Sequence, residues 1–143
     1  MTGERIAVGV DGSQPSKSAL RWAARWAQLT GAGIDAVIAW QPAPNYGWAI
    51  GDATWRPEED AEKVVTQAVD EVFGADRPPD LRLIVRRGHP AQVLLDASED
   101  AELLIVGSRG HGGFVGLLLG SVSANCAEHA TCPVLVVHEG KPQ

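Results

Sequence analysis

Five short apolar runs, each separated from the next by a segment of helical period, constrain this chain more than any other feature. RIAVGV (5–10), IDAVIAW (34–40), LRLIV (81–85), ELLIVG (102–107) and PVLVVH (133–138) are rich in Val and Ile and bounded by Gly, Pro or acidic residues, the composition of β-strands. Strand and helix signals alternate from end to end. The fold class predicted is therefore α/β, with repeated βα units building a parallel sheet that carries helices on its faces. The runs at 103–106 and 134–137 are apolar at every position, which predicts strands covered on both sides.

The intervening segments carry helix start and stop signals. Ser13 is placed to cap the first, Ala19, Trp22, Ala23 and Trp26 recur at helical spacing, and Gly31 supplies a left-handed end. In the second, Pro57 opens the helix and Glu58, Glu59 and Asp60 complement its dipole; Ala61, Val64, Val65, Ala68, Val69 and Val72 form one stripe before Gly74. Pro90 begins a short third helix with Ala91, Leu94 and Leu95 toward the sheet, and a fourth starts near Gly120 with Val122 and Cys126 inward. The longest irregular stretch, 41–55, contains Trp48 and Trp55 and reads either as a lid or as a surface loop tucked against the second helix.

With 143 residues and a formal charge of −6, the chain reads as one domain spanning 1–143, long enough to bury a core without disulfides or metals. Its cations are scattered, so no nucleic-acid surface is expected. The N-terminus lacks the pattern of a secretory signal, which places the protein in the cytoplasm. Residues 110–127 lack Asp, Glu, Lys and Arg but hold five glycines and His111, an implausible membrane span, and no membrane partner is expected. Cys126 and Cys132 have no metal-ligand spacing and read as reduced thiols; His89, His129 and His138 show no ligating pattern either, and no side-chain metal site is expected.

The stretch most informative about chemistry is ELLIVGSRGHGGFVGLLLGSVS (102–123), a strand, a glycine-rich loop and a helix start. Such an arrangement suits a phosphate: glycines can turn backbone N–H groups inward at φ values other residues resist, and the helix start offers unpaired donors and a positive dipole end. Ser121 and Ser123 add hydroxyls, while Arg109 and His111 supply the loop with local positive charge or are simply solvated. Familiar signatures are missing. After Gly107 and Gly112 come Gly113 and Phe114 where a Walker A motif needs Lys and Ser or Thr, and Val115 occupies the third glycine position of GxGxxG. No GxSxG elbow is present.

What the loop does contain is Gly-x2-Gly-x9-Gly-Ser/Thr, as Gly107, Gly110, Gly120 and Ser121. With the opening IAVGVDGS and the closing ATCPVLVV, the chain resembles the ATP-binding branch of the universal stress protein family over essentially its whole length. The resemblance implies a Rossmann-like sheet of five parallel strands in the order 3-2-1-4-5, with ATP between strands one and four. It assigns the phosphates to Gly107, Gly110, Gly120 and Ser121, with Val106, Gly112, Val122 and Ser123 adjacent, and the ribose or adenine edge to Asp11, flanked by Gly9, Val10 and Ser13. Asp11 is alternatively a helix-flanking turn residue. Ala39 and Trp40 would meet the adenine through the main chain, with Trp40 equally readable as core. The implied protein is an ATP-dependent regulatory module, with Mg²⁺ accompanying the nucleotide, acting in a cytoplasmic stress or dormancy response through an unknown protein partner. It would be a homodimer joined through 133–138. A slow ATPase or a self-phosphorylating enzyme is the alternative.

Overall fold

A computed structural model describes residues 4–42, 56–108 and 120–138. In chain order the elements are β1 (Arg5–Gly9), α1 (Gln14–Thr30), β2 (Gly33–Trp40), α2 (Pro57–Phe73), β3 (Leu81–Arg87), α3 (Pro90–Ala97), β4 (Leu103–Gly107), α4 (Ser121–His129) and β5 (Val134–Val137). The strands form one sheet in the order β3-β2-β1-β4-β5, every pairing parallel. This is the Rossmann-like topology expected, and right-handed βα crossovers account for it. α1 and α2 cover one face, with α1 packed on β4, β1 and β5 and α2 on β2 and β3, while α3 and α4 pack together on the other.

Each face has its own apolar core. Ile6, Val8, Ile34, Ile38 and Ile105 point toward Leu20 of α1 and Val65 and Val69 of α2; Ala7, Val37, Leu104 and Val106 point the other way, toward Leu94 and Cys126. The alternation along each strand follows from the two-residue pleat. Cys126 is a free thiol, and burial pushes its pKa up to about 11. Cys132 is free and half-buried.

Local signals place the helix ends. Ser13 Oγ accepts from Ser16 N–H at the start of α1, and Gly31 closes it at φ 80°, a left-handed conformation that glycine takes without steric cost. The predicted stripe of α2 is the buried one: Ala61, Val65, Ala68 and Val69 are inside, with Val64 and Val72 half-buried. Two expectations need correction, and a third needs refinement. In α1 the inward stripe is Ser16, Ala19, Leu20 and Ala23, and Trp22 and Trp26 remain 41% exposed, because small residues let the helix lie close to the sheet while the indoles are left on its flank. In α3 the inward residues are Val93 and Leu94, with Ala91 and Leu95 only half-buried. β5 carries α1 on one face and α4 on the other as expected, but full burial is not reached: Val134, Leu135 and Val136 are half-buried and only Val137 is fully so, because the strand lies at the edge of the sheet.

The amino ends of the strands are tied by a charge network that sequence patterning did not reveal. Asp35 on β2 pairs with Ala7 of β1 and Arg82 of β3 in register. Its side chain is only 7% exposed. Arg82 donates to both carboxylate oxygens (2.8 and 3.0 Å), and Arg5 adds Nη2 to Oδ1 at 2.6 Å while its Nη1 reaches Asp80 Oδ2 at 2.6 Å. The space for Arg5 is left by Gly33, where a Cβ would collide with the guanidinium. Burial alone would raise the Asp35 pKa, but hydrogen bonds and charge from the two arginines outweigh it and hold the carboxyl below its ordinary value.

Asp35→Asn should destabilise the fold by about 3 kcal/mol at pH 7 in urea unfolding, the low end for removing one partner of a buried pair because Arg82 is itself exposed. A carboxyl whose pKa is depressed on folding stabilises the protein above its unfolded value, about 3.9. The gap between wild type and Asp35→Asn should therefore be fully present at neutral pH and shrink as the pH falls below about 4.

Candidate functional site

Strand order reverses at β1: the chain runs outward through β2 and β3, then returns to place β4 on the other side of β1. Open α/β sheets bind ligands at the carboxyl ends of the strands beside such a reversal. Here a cleft of about 490 Å³ opens at that point, within the range of small-molecule sites. Gly9 at the end of β1 with Val10, Asp11 and Ser13 after it, Ala39 and Trp40 at the end of β2, Val106 and Gly107 at the end of β4, and Gly120, Ser121, Val122 and Ser123 at the start of α4 all line it. These are the site residues proposed from sequence, except for Arg109, Gly110, His111 and Gly112, which lie outside the described residues.

The floor of the cleft follows from unequal strand lengths. The last residue of β1, Gly9, pairs with Val37, and Val10 N–H donates to Val37 C=O at 2.8 Å. β2 nevertheless runs on to Trp40. Ile38, Ala39 and Trp40 thus have no strand neighbour on the β1 side, and main-chain groups there face the cleft, although Trp40 C=O is taken on the β3 side by Gly88 N–H at 2.9 Å. Trp40 belongs to the core and also borders the cleft. Its half-buried ring packs on the first core and lines the cleft, with the Arg87 guanidinium 5.9 Å from the ring centre.

On the β1 side, Gly12 at φ 85° turns the chain into α1. Asp11 Oδ1 accepts from Ser13 N–H at 2.9 Å, Asp11 N–H donates to Ser16 Oγ at 3.3 Å, and Ser16 Oγ in turn donates to Ser13 C=O at 2.9 Å. Asp11 is accordingly both a turn residue and a cleft residue. The interlock holds its carboxylate against the wall at little entropic cost.

On the opposite wall, β4 is stapled to α4. Gly120 N–H donates to Ser108 C=O at 2.6 Å, and Ser123 Oγ donates to the same carbonyl at 2.9 Å while lying 3.1 Å from Gly120 C=O. The Ser123 hydroxyl, buried with its residue at 2% exposure, is thus engaged in bracing the junction. Ser121, exposed at the first turn of α4, borders the cleft. No acidic residue occupies that turn, which leaves the positive end of the helix uncompensated.

The glycines of this wall have a different physical basis from the one expected. Gly107 shows no positive φ, and Gly120 sits at φ −72°, ψ 165°, an extended conformation open to any residue. Gly107 is small because α1 leaves no room: a Cβ there would lie 2.6 Å from Pro15 Cβ, 2.8 Å from Pro15 C and 3.0 Å from Ser16 N. Sequence reasoning also missed a contribution from the helices to the cleft. Pro57, Asp60, Ala61 and Val64 of α2 and Pro90 and Leu94 of α3 line its mouth. The acidic first turn of α2 is read from sequence only as a dipole complement; nothing local shows that it borders a site.

Among the described residues no group of three or more His, Cys, Asp or Glu side chains could hold a metal, and no helix is long and apolar enough to cross a membrane. Gln41 Nε2 and His89 Nδ1 lie 3.0 Å apart beside the cleft mouth, and His129 and His138 are exposed.

Fold and cleft together define an open, doubly wound α/β domain with its binding crevice at the strand-order reversal. The universal stress protein family model matches residues 3–138. A universal stress protein of Mycolicibacterium smegmatis is 35% identical over 143 residues, covering 93% of this chain and 47% of that protein. One from Thermus aquaticus is 37% identical over 139 residues, covering 92% of this chain and 96% of its own length. The chain spans about half the length of the mycobacterial relatives it matches. Among solved structures, a universal stress protein in complex with cAMP superposes with a TM-score of 0.69 at 29% identity, covering 96% of this chain and 98% of that one. The UspA protein of Lactobacillus plantarum shares the fold at a TM-score of 0.74 and 20% identity, covering 96% and 99%. The chain belongs to the universal stress protein family.

Gly107→Ala should cost about 2–3 kcal/mol, since the new methyl meets backbone of α1 that cannot swing aside. Gly9→Ala should cost less than about 1.5 kcal/mol, because its nearest obstacle is the end of the flexible Leu94 side chain, 2.8 Å away. Paired denaturation curves would check the order.

Proposed function

We propose that this domain is an ATP-binding regulatory module whose state is set by nucleotide occupancy. The observation that carries the reading is the composition of the cleft: unpaired β2 main chain on one side, an anchored carboxylate in the middle and a helix N-terminus on the other. Those three parts suit an adenine edge, a ribose and a phosphate chain respectively. The solved relative in complex with cAMP supports an adenine nucleotide as the ligand class. Gly110, Arg109, His111 and Gly112 complete the phosphate side in this proposal, and Mg²⁺ would travel with the phosphates, held by them and by water.

The regulatory reading draws support from what surrounds the phosphate side. Of the three hydroxyls at the β4–α4 junction, Ser108 and Ser123 are buried and Ser123 is hydrogen-bonded, a poor environment for a nucleophile that must reach a phosphoryl group in line, which leaves only Ser121 exposed on the cleft. The setting proposed is a cytoplasmic stress or dormancy response, with the nucleotide-bound form presented to a protein partner. The domain is proposed to act as a homodimer through β5, whose open edge would otherwise be an aggregation hazard.

ATP at about 100 times its dissociation constant should add roughly 2.7 kcal/mol and raise the melting midpoint by about 5–10 °C, with AMP much weaker. cAMP shifting the midpoint more than ATP would instead make the cyclic nucleotide the ligand. Gly120→Val should abolish the shift while leaving a folded protein, because a branched side chain would stand between the α4 N-terminus and the phosphate. ADP release should stay far below the roughly 1 s⁻¹ of ordinary enzymes. Mg²⁺-dependent turnover at or above that rate, lost in His111→Ala, would make the site catalytic.

A further inference from the structure

We infer that the α1 flank bearing Trp22 and Trp26 is a docking face for a second copy of this chain, filling the trough above two paired β5 strands. The inference rests on the β5 pairing proposed above and names what completes it.

The flank is placed by its opposite side. Lys17 Nζ reaches Glu71 of α2 at 2.5 Å, so that side of α1 looks toward α2, which lies over β2 and β3. At 100° per residue, Trp22 and Trp26 fall on the other flank, over the β5 side of the sheet where α1 touches β5. They and Leu29 are the exposed large hydrophobics among the described residues, at 41%, 41% and 81%. The Arg25 guanidinium stacks 4.9 Å from the centre of the Trp22 ring on the solvent side of the flank, which keeps charge away from the β5 edge. Because α1 touches β5, the aromatic flank lies on the same side of the helix as the apolar edge strand.

The geometry of pairing gives that surface an occupant. Antiparallel β5 strands are related by a two-fold axis perpendicular to the sheet, so both α1 helices lie on the same face. With neighbouring strands about 4.8 Å apart and α1 seated over β1 and β4, the two helix axes would stand on the order of 20 Å apart, roughly twice the 8–10 Å of packed helices. The trough between them is too wide for small side chains to close. Two indoles projecting from each wall suit that width.

The area needed points the same way. A strand of four residues presents only about 13 Å of edge, short of the roughly 1,200 Å² that a stable interface buries. The apolar surface still exposed on Trp22, Trp26 and Leu29, counted on both copies, supplies on the order of several hundred Å² more.

Sedimentation equilibrium of the purified chain tests this with three proteins: wild type, Val136→Lys, and Trp22→Ser/Trp26→Ser. The expected result is a wild-type dimer that Val136→Lys dissociates and whose dissociation constant rises at least tenfold in the double serine variant, with circular dichroism and the ATP-induced melting shift unchanged. Trp22→Phe/Trp26→Phe, which keeps apolar bulk, should retain most of the dimer. As a second readout, iodide quenching of wild-type tryptophan fluorescence should fall as concentration rises through the dissociation constant, and Val136→Lys should remove that dependence. A wild type that stays monomeric into the high micromolar range overturns the pairing and this inference with it. A dimer broken by Val136→Lys but indifferent to the serine and phenylalanine variants overturns this inference alone.

Discussion

At Gly107 the backbone of the first turn of α1 lies against the end of β4 so closely that a Cβ would fall 2.6–3.0 Å from Pro15 and Ser16. Much of the upper half of the sheet depends on it. Because Pro15 and Ser16 press onto that glycine, the Asp11–Ser13–Ser16 interlock sits directly across from the Ser108–Gly120–Ser123 staple. Two hydrogen-bonded corners facing each other across a shared strand pair frame the cleft with backbone. Such walls are pre-organised, since their positions are set by ladder hydrogen bonds and by packing that cannot be varied one rotamer at a time.

The two ends of the sheet divide the work. At the carboxyl ends β2 outruns β1, leaving main chain open to a ligand. At the amino ends Arg5 and Arg82 converge on Asp35 and draw β1, β2 and β3 together. A buried ion pair of this kind contributes modestly to net stability compared with an apolar replacement, yet removal of one member leaves a stranded charge. It joins β1, β2 and β3 at the end of the sheet remote from the cleft, opposite the end where β2 outruns β1.

The helices carry a similar division. α2 contributes its valine stripe to the core and, from the same surface one turn earlier, Pro57, Asp60 and Ala61 to the cleft mouth. α1 contributes alanines to the sheet and its largest apolar side chains to a flank. Leaving Trp22 and Trp26 on that flank costs solvent exposure of indole in an isolated chain, which becomes favourable once another surface covers it.

Much of the fold was legible because it depends on short-range physics. Val- and Ile-rich runs, the Ser13 cap, the Pro57 start and the Gly31 stop are each decided within a few residues, and the alternation of strand and helix leaves few topologies to consider. The β1, β4 and α4 side of the cleft was legible from the glycine and serine spacing after β4 and the Asp after β1, whereas Ala39 and Trp40 entered only through the family resemblance and the α2 and α3 residues not at all. What only the tertiary structure decided involves groups distant in sequence. Asp35 looked like one polar residue in an apolar strand until Arg5 and Arg82, 30 and 47 residues away, were brought beside it. The tryptophans shared the period of the buried stripe, and only the close seating of α1 on the sheet showed that alanines, not indoles, fit beneath it. Gly107 was recognisable as part of a motif from its spacing alone, but its reason for being glycine, the backbone of α1 within a methyl's reach, exists only once β4 and α1 are folded against each other.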